Sequence, residues 1–234
     1  MRKGKFIVFE GLDGSGKSTQ TNLLVNYLKQ RGREVVKIDF PQHGEGSSAM
    51  VDNYLNGKYG TAESVGPYIA SVFYACDRYD AKDKIEEWLN NGKIVIADRY
   101  LASNIGHQGG KIKDKAERLK YFKWLYDFEF KLFKIPKPDI NIILKTNVEF
   151  SKKLSNKITD EEKKAKRKAY LADDTIQDIH EKDQTHLHNA LQAFLQAVEE
   201  FPEDFEVVEC IESGKLLSPD IIHQKVIKIV KKIL

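Results

Sequence analysis

The fold this sequence predicts is α/β: a three-layer P-loop fold with a five-stranded parallel sheet, helices on both faces and a lid. Three observations carry that reading. Short runs rich in Ile, Val and Phe alternate with longer helical patterns along the chain, a rhythm that builds a parallel sheet covered by helices. The first apolar run leads into Gly11-Leu12-Asp13-Gly14-Ser15-Gly16-Lys17-Ser18, the G-x-x-x-x-G-K-S spacing of a triphosphate cradle. The third run, Ile94-Val95-Ile96-Ala97, ends on Asp98, at the sheet edge where open α/β folds bind ligands.

Taken in order, the strands fall at Lys5–Glu10, Glu34–Phe40, Lys93–Ala97, Asp139–Leu144 and Phe205–Val208. Their near-continuous apolar character fits strands buried on both faces. The helix Ser18–Gln30 carries Leu23, Leu24, Val25 and Leu28. The stretch Ala62–Asn90 reads as helical with a break near Gly66-Pro67, and Asn91-Gly92 closes it as a helix C-terminus. Lys115–Phe133 is an aromatic-rich helix stopped by Pro136, and His180–Glu199 and Asp220–Ile233 complete the set. No repeat or linker divides the chain, so residues 1–234 are expected to form one domain. The segment 151–179 is polar, highly charged and poor in core residues, and is read as the lid.

Composition narrows the function classes. The chain is 41% hydrophobic, 31% charged and carries a formal net charge of +3. So small a charge does not indicate a nucleic-acid partner, and no apolar stretch approaches a membrane span. The two cysteines, Cys76 and Cys210, lie in different predicted elements without metal spacing, which favours a reducing compartment. The N-terminus enters the first strand by residue 5, leaving no room for a signal peptide, so a cytoplasmic location is expected. His186 and His188 are two apart on a predicted helix and point to different faces, so they make no metal site.

The glycine-rich loop supplies the first site. Its glycines allow a tight turn that aims backbone N–H groups inward, and the helix that follows adds its positive end. Lys17 reaches the terminal phosphates and Ser18 can ligate Mg²⁺. The nucleotide-binding set is therefore Gly11, Asp13, Gly14, Ser15, Gly16, Lys17, Ser18 and Thr19. A glycine turn matching this spacing by accident would lack the strand before it and the helix after it. Asp98 can hold Mg²⁺ directly or through water, and the planar fork of Arg99 can bridge two phosphates. The alternative is a structural ion pair between these two neighbours.

The chain resembles the thymidylate kinases in four places. Asp98-Arg99-Tyr100-Leu101-Ala102-Ser103-Asn104 is similar to that family's D-R-Y-x-x-S-x motif, and Phe40-Pro41-Gln42-His43-Gly44 to its F-P loop. Tyr74-Ala75-Cys76-Asp77-Arg78 resembles its aromatic-x-x-x-Arg helix, and Phe9-Glu10-Gly11-Leu12-Asp13 its approach to the P-loop. The resemblance implies transfer of the γ-phosphoryl group of ATP to dTMP, with Mg²⁺, a mobile lid and a homodimer. It implies that Asp13 approaches the sugar 3′-hydroxyl and that Phe40, with Pro41, lines the thymine pocket. Tyr74 would lie against the base, Arg78 would bond its edge, and Asn104 would face it, with Ser103 in the same motif. Arg99 would hold the acceptor phosphate, and His107, with Gln108 as a polar partner, would stand near the sugar.

Some positions keep two readings. Tyr74 and Arg78 share one helix face; alone, they read rather as a core aromatic and a surface salt bridge with Asp77 or Asp80, and the other motifs reverse that preference. His43 stands where relatives carry Arg or Tyr as a phosphate contact, and a plain loop histidine is the alternative. Gly14 stands where one branch has arginine, so the lid should supply a cation, and Arg167 is the one arginine of Ser151–Lys168. A solvated helix capped by Thr159 and Glu162 is the competing reading of that segment. The aromatic run Tyr121, Phe122, Trp124, Tyr126, Phe128, Phe130 and Phe133 reads as a dimer helix or as core. A regulatory GTPase would need an N-K-x-D motif, and none is present.

Overall fold

The structure is a computed structural model and describes residues 4–157 and 184–234. Five parallel strands form the central sheet in the order β2-β3-β1-β4-β5. They are β1 (Lys5–Glu10), β2 (Val35–Asp39), β3 (Ile94–Asp98), β4 (Ile140–Lys145) and β5 (Phe205–Glu209). The central strand shows why near-continuous apolar runs were needed. Phe6, Ile7, Val8 and Phe9 are all fully buried. Successive side chains point to opposite faces, so Phe6 and Val8 join one core with Val95, Ala97 and Ile143, and Ile7 and Phe9 join another with Ile96, Ile142 and Leu144.

Helices close both faces. On the Ile7 side lie α1 (Lys17–Lys29) and the C-terminal helix Pro219–Val230, through Leu24, Leu28, Ile222 and Val226. The opposite side is covered by α4 (Lys82–Asn90), α5 (Leu101–His107), α6 (Lys115–Tyr126) and the helix Gln184–Glu200, while α3 (Ala62–Asp80) packs outside against α4 and α5. The break expected near Gly66-Pro67 is present, with Gly66 at φ 73 and ψ 167. The long expected helix divides further, because Asp80 and Lys82 belong to different helices. Helix α6 continues as a π-helical segment, Asp127–Leu132, rather than as one α-helix to Phe133.

Several elements among the described residues were not anticipated. Helix α2 (Ala49–Leu55) packs Val51, Tyr54 and Leu55 against Ala70 and Phe73 of α3 in a small third core. Helix α5 lies within the stretch read only as a motif, and it approaches Gln184–Glu200 so closely that a Cβ on Gly106 would lie 2.2 Å from the Phe194 ring. A short hairpin pairs Ile211–Glu212 with Lys215–Leu216, turning through Ser213 and Gly214, both at positive φ. Two left-handed residues are what the tightest hairpin turn requires.

The expected lid begins inside a helix, α7 (Val148–Lys157). Ser151 is fully buried and its hydroxyl donates to the Asp13 carbonyl, so the near end of that segment is docked on the loop and not loosely packed. The rest of the expected lid, with Arg167, lies outside the described residues, as does His180, where a helix was expected to start. Cys76 and Cys210 are both free thiols. Among the described residues, no helix is long and apolar enough to cross a membrane.

Candidate active site

The loop between β1 and α1 sits at the carboxyl edge of the sheet, where β1 has β3 on one side and β4 on the other. Gly11 adopts φ 137, and a Cβ there would lie 2.7 Å from the Leu144 carbonyl oxygen. Only glycine lets the chain leave β1 this close to β4. Gly16, at φ 90, starts α1 without a side-chain cap, which leaves the first N–H groups of the helix to an anion.

Lys17 is buried and folds back, its Nζ donating to the carbonyls of Gly11 at 3.1 Å and Leu12 at 2.9 Å. Burial lowers its pKa to about 8, helped by the nearby Arg99 cation and opposed by Asp13, Asp98 and Glu10. The ammonium is thus held at the loop by weak acceptors, ready to exchange them for phosphate oxygens.

Two cavities meet here. The larger, about 670 Å³, is lined by Asp13, Gly14, Gly16, Lys17, Ser18 and Thr19, with Asp98, Arg99 and Leu154. Gly11 and Ser15 are buried and do not line it. The smaller, about 210 Å³, brings together Asp13, Phe40, Pro41, His43, Tyr74, Arg78, Arg99, Ser103, Asn104, His107 and Gln108, with Leu55, Asp77 and Tyr100. Every residue assigned to the acceptor from the sequence lies on its wall. Asp13, Phe40, Pro41, His43 and Arg99 border both cavities.

Arg99 stands on that border because of its backbone. Its N–H continues the ladder, donating to the Phe9 carbonyl at 2.9 Å, and its φ is then 71. A left-handed non-glycine residue persists only where its surroundings hold it. Here its guanidinium pairs with Asp13 and donates to Ser103 Oγ at 3.2 Å. Arg99 therefore takes Asp13 as its ion-pair partner, not its neighbour Asp98. Burial opposes its charge, but Asp13, Asp98 and Glu10 together raise its pKa above the usual value.

The guanidinium also meets His107 Nε2, 3.2 Å from Nη1. A guanidinium only donates, so Nε2 accepts and the His107 proton sits on Nδ1, facing His186 Nε2 at 3.4 Å. Burial pushes the His107 pKa well below the usual histidine value, and the Arg99 cation pushes the same way. His107 is a neutral acceptor at this site.

Glu10 is the residue sequence reasoning passed over. It is fully buried at the end of β1 and accepts from the backbone N–H of Tyr100 at 2.8 Å, that of Ser103 at 2.9 Å, and Ser103 Oγ at 2.6 Å. Burial raises its pKa, against the pull of those donors and of Arg99 and Lys17. It ties the β3–α5 turn to the P-loop strand. The signal was available: a carboxylate closes a run of buried apolar residues, Phe6–Phe9.

Arg78 is also differently placed. It is 2% exposed, and its partner is Glu129, 51 residues away, not Asp77 or Asp80. Burial alone disfavours the charge, but the Glu129 carboxylate outweighs it and raises the Arg78 pKa. Asp77 instead anchors the F-P loop, accepting from Gln42 N at 2.9 Å and Ser47 Oγ at 2.6 Å. His43 Nδ1 lies 2.6 Å from Asp52 Oδ1, so it is fastened to α2 while bordering both cavities. Gln108 Oε1 accepts from Lys111 at 2.7 Å, and Lys111 also donates to Tyr54 at 2.8 Å. Asn104 donates to the Ser71 carbonyl at 3.3 Å.

The fold and its paired cavities define a P-loop nucleotide-binding protein with a second pocket opening at the phosphate end. Comparison with known sequences narrows this: the chain belongs to the thymidylate kinase family, whose model matches residues 9–210. It is 37% identical over 111 residues to a thymidylate kinase of Plasmodium falciparum, covering 47% of this chain and 51% of that one. It is 31% identical over 146 residues to the thymidylate kinase of Mycobacterium tuberculosis strain H37Rv, covering 62% and 67% respectively. The aligned stretch thus spans about half to two thirds of these relatives' lengths. A solved thymidylate kinase from Candida albicans superposes with a TM-score of 0.72 at 23% identity, over 99% of this chain and 93% of that one, and shares the fold.

Proposed function

We propose that this chain transfers the γ-phosphoryl group of ATP to dTMP, giving dTDP and ADP for dTTP synthesis. The observation that carries the reading is the Asp13–Arg99 pair on the border of the two cavities. The triphosphate lies along the P-loop, its terminal phosphates on Lys17 and the helix N-terminus. The nucleoside monophosphate lies in the smaller cavity, its base between Phe40 and Tyr74 and its edge at Arg78 and Asn104. Its phosphate meets Arg99. An acceptor phosphate oxygen attacks the γ-phosphorus as the bond to the bridging oxygen of ADP breaks, and Lys17 and Arg99 face the charge on the transferring group.

Ser18 and Asp98 line one wall of the nucleotide cavity together with Lys17. A hydroxyl and a carboxylate suit Mg²⁺, which takes its remaining ligands from phosphates and water and neutralises phosphate charge when bound. Arg167 enters from the sequence as the lid cation, and Arg167→Ala should lower kcat while leaving the KM for dTMP unchanged. The reading includes one domain with a lid at 151–179, a cytoplasmic location and a homodimer. For the last, support comes from the exposed Tyr68, Ile69 and Leu132, with Tyr68 packed on Trp124 at 4.7 Å between ring centres.

A coupled ADP-release assay across all nucleoside monophosphates tests the reading. dTMP should be the best acceptor, dUMP weaker and purine monophosphates very poor. Equal turnover of dCMP or dGMP would overturn it.

A further inference from the structure

Glu129 occupies a place where folding alone calls for an apolar residue. Helix α6 buries Arg118, Tyr121, Phe122 and Leu125, and Glu129 continues that stripe into the π-helical segment. It is fully buried. A charge inside a core is expensive unless paired, and apolar residues of similar size usually serve stability as well or better. A fully buried acid on a stripe that carries Tyr121, Phe122 and Leu125 therefore asks for a reason beyond folding.

Its geometry supplies one. Glu129 Oε2 accepts from Arg78 Nε at 2.6 Å and Oε1 from Nη2 at 2.7 Å. Two parallel bonds fix both the position and the plane of the guanidinium. With that side occupied, Nη1 is left on the flank away from the carboxylate, 3.4 Å from the Tyr100 carbonyl, and Arg78 lines the smaller cavity. Glu129 itself does not line that cavity. The pair also cancels the buried charge, so the cavity wall offers oriented N–H donors without a net cation.

We propose that Glu129 is a positioning residue for base selection: it clamps Arg78 so that the guanidinium presents donors to a pyrimidine O4. A base with a carbonyl at that position is accepted, while an exocyclic amino group there meets donor with donor. The inference rests on the proposed reading that Arg78 meets the base edge. It adds that the discrimination depends on a residue that touches no substrate.

The test compares kcat/KM for dTMP and dCMP, and KM for ATP, in the wild type and in Glu129→Gln, Glu129→Asp and Arg78→Met, with folding followed by circular dichroism. The expected result is that Glu129→Gln lowers the dTMP-to-dCMP ratio on the order of tenfold or more. Arg78→Met should lower it at least as far, with the ATP KM unchanged in both. Glu129→Asp keeps the charge but draws the clamp back by one methylene, so its ratio should fall between. If Glu129→Gln fails to fold, Glu129→Asp carries the decision by the same criterion. A collapse of the ratio in Arg78→Met, with the Glu129 variants keeping the wild-type ratio and losing only melting temperature, would overturn the positioning role alone. An unchanged ratio in Arg78→Met would overturn the underlying reading of Arg78, and this inference with it.

Discussion

The guanidinium of Arg99 is paired with the carboxylate of Asp13 across the line where the two cavities join. The acid belongs to the P-loop and the arginine to the turn after β3, 86 residues on. One contact thus joins the donor cradle to the acceptor pocket, and a phosphate arriving at Arg99 must compete with Asp13 for the same guanidinium.

Arg99→Ala should therefore reduce turnover far more than ATP affinity. Removing one preorganised donor from a charge-developing centre costs about 10²–10³-fold in kcat. Calorimetry measures ATP binding and a coupled assay measures turnover. Equal losses in both would assign Arg99 to the donor or to the fold.

Lys17→Ala should cut kcat by roughly 10²-fold or more with the fold intact. The wild-type lysine also predicts a pH effect. Its pKa in the empty protein is lowered to about 8, so above that pH the free enzyme loses the charge that phosphates would restore. ATP binding should take up a proton there, and ATP affinity should fall as pH rises beyond 8. Calorimetry in buffers of different ionisation enthalpy measures the uptake. The sign for folding is opposite: a lysine depressed in the native state costs stability below pH 8, and that cost is relieved as pH rises from 8 toward the unfolded value of 10.5.

Glu10→Gln should loosen the turn that carries Arg99. The buried carboxylate accepts three hydrogen bonds, and an amide places donors where Ser103 Oγ or a backbone N–H already donates. A destabilisation of about 1–3 kcal/mol is expected, with kcat falling more than ATP affinity. Chemical denaturation and the coupled assay check the two effects together.

Asp98→Asn should raise the Mg²⁺ concentration needed for half-maximal turnover, and excess chelator should stop the wild type reversibly. A variant with an unchanged Mg²⁺ requirement would remove Asp98 from the metal site.

Lys111→Met should raise the KM for dTMP and leave that for ATP alone. The ammonium bridges Gln108, on the acceptor cavity wall, to Tyr54 behind it. Steady-state kinetics with each substrate varied in turn separates the two constants.

From residue order alone came the five parallel strands, the P-loop, and the acid and arginine after β3; the acceptor-wall residues came through the resemblance to thymidylate kinases. These are local patterns: an apolar run reports burial on both faces, and glycine spacing reports a turn no other residue makes. Tertiary packing alone decided which charges meet. Sequence proximity suggested Asp77 or Asp80 for Arg78 and Asp98 for Arg99, but helix and strand geometry carries neighbouring side chains to different surroundings. Arg78 therefore pairs with Glu129 and Arg99 with Asp13. Glu10 escaped for the same reason, since its donors lie at Tyr100 and Ser103. Helices α2 and α5 were missed because they are short: their apolar residues repeat over too few turns to show a period, and their packing partners come from distant parts of the chain.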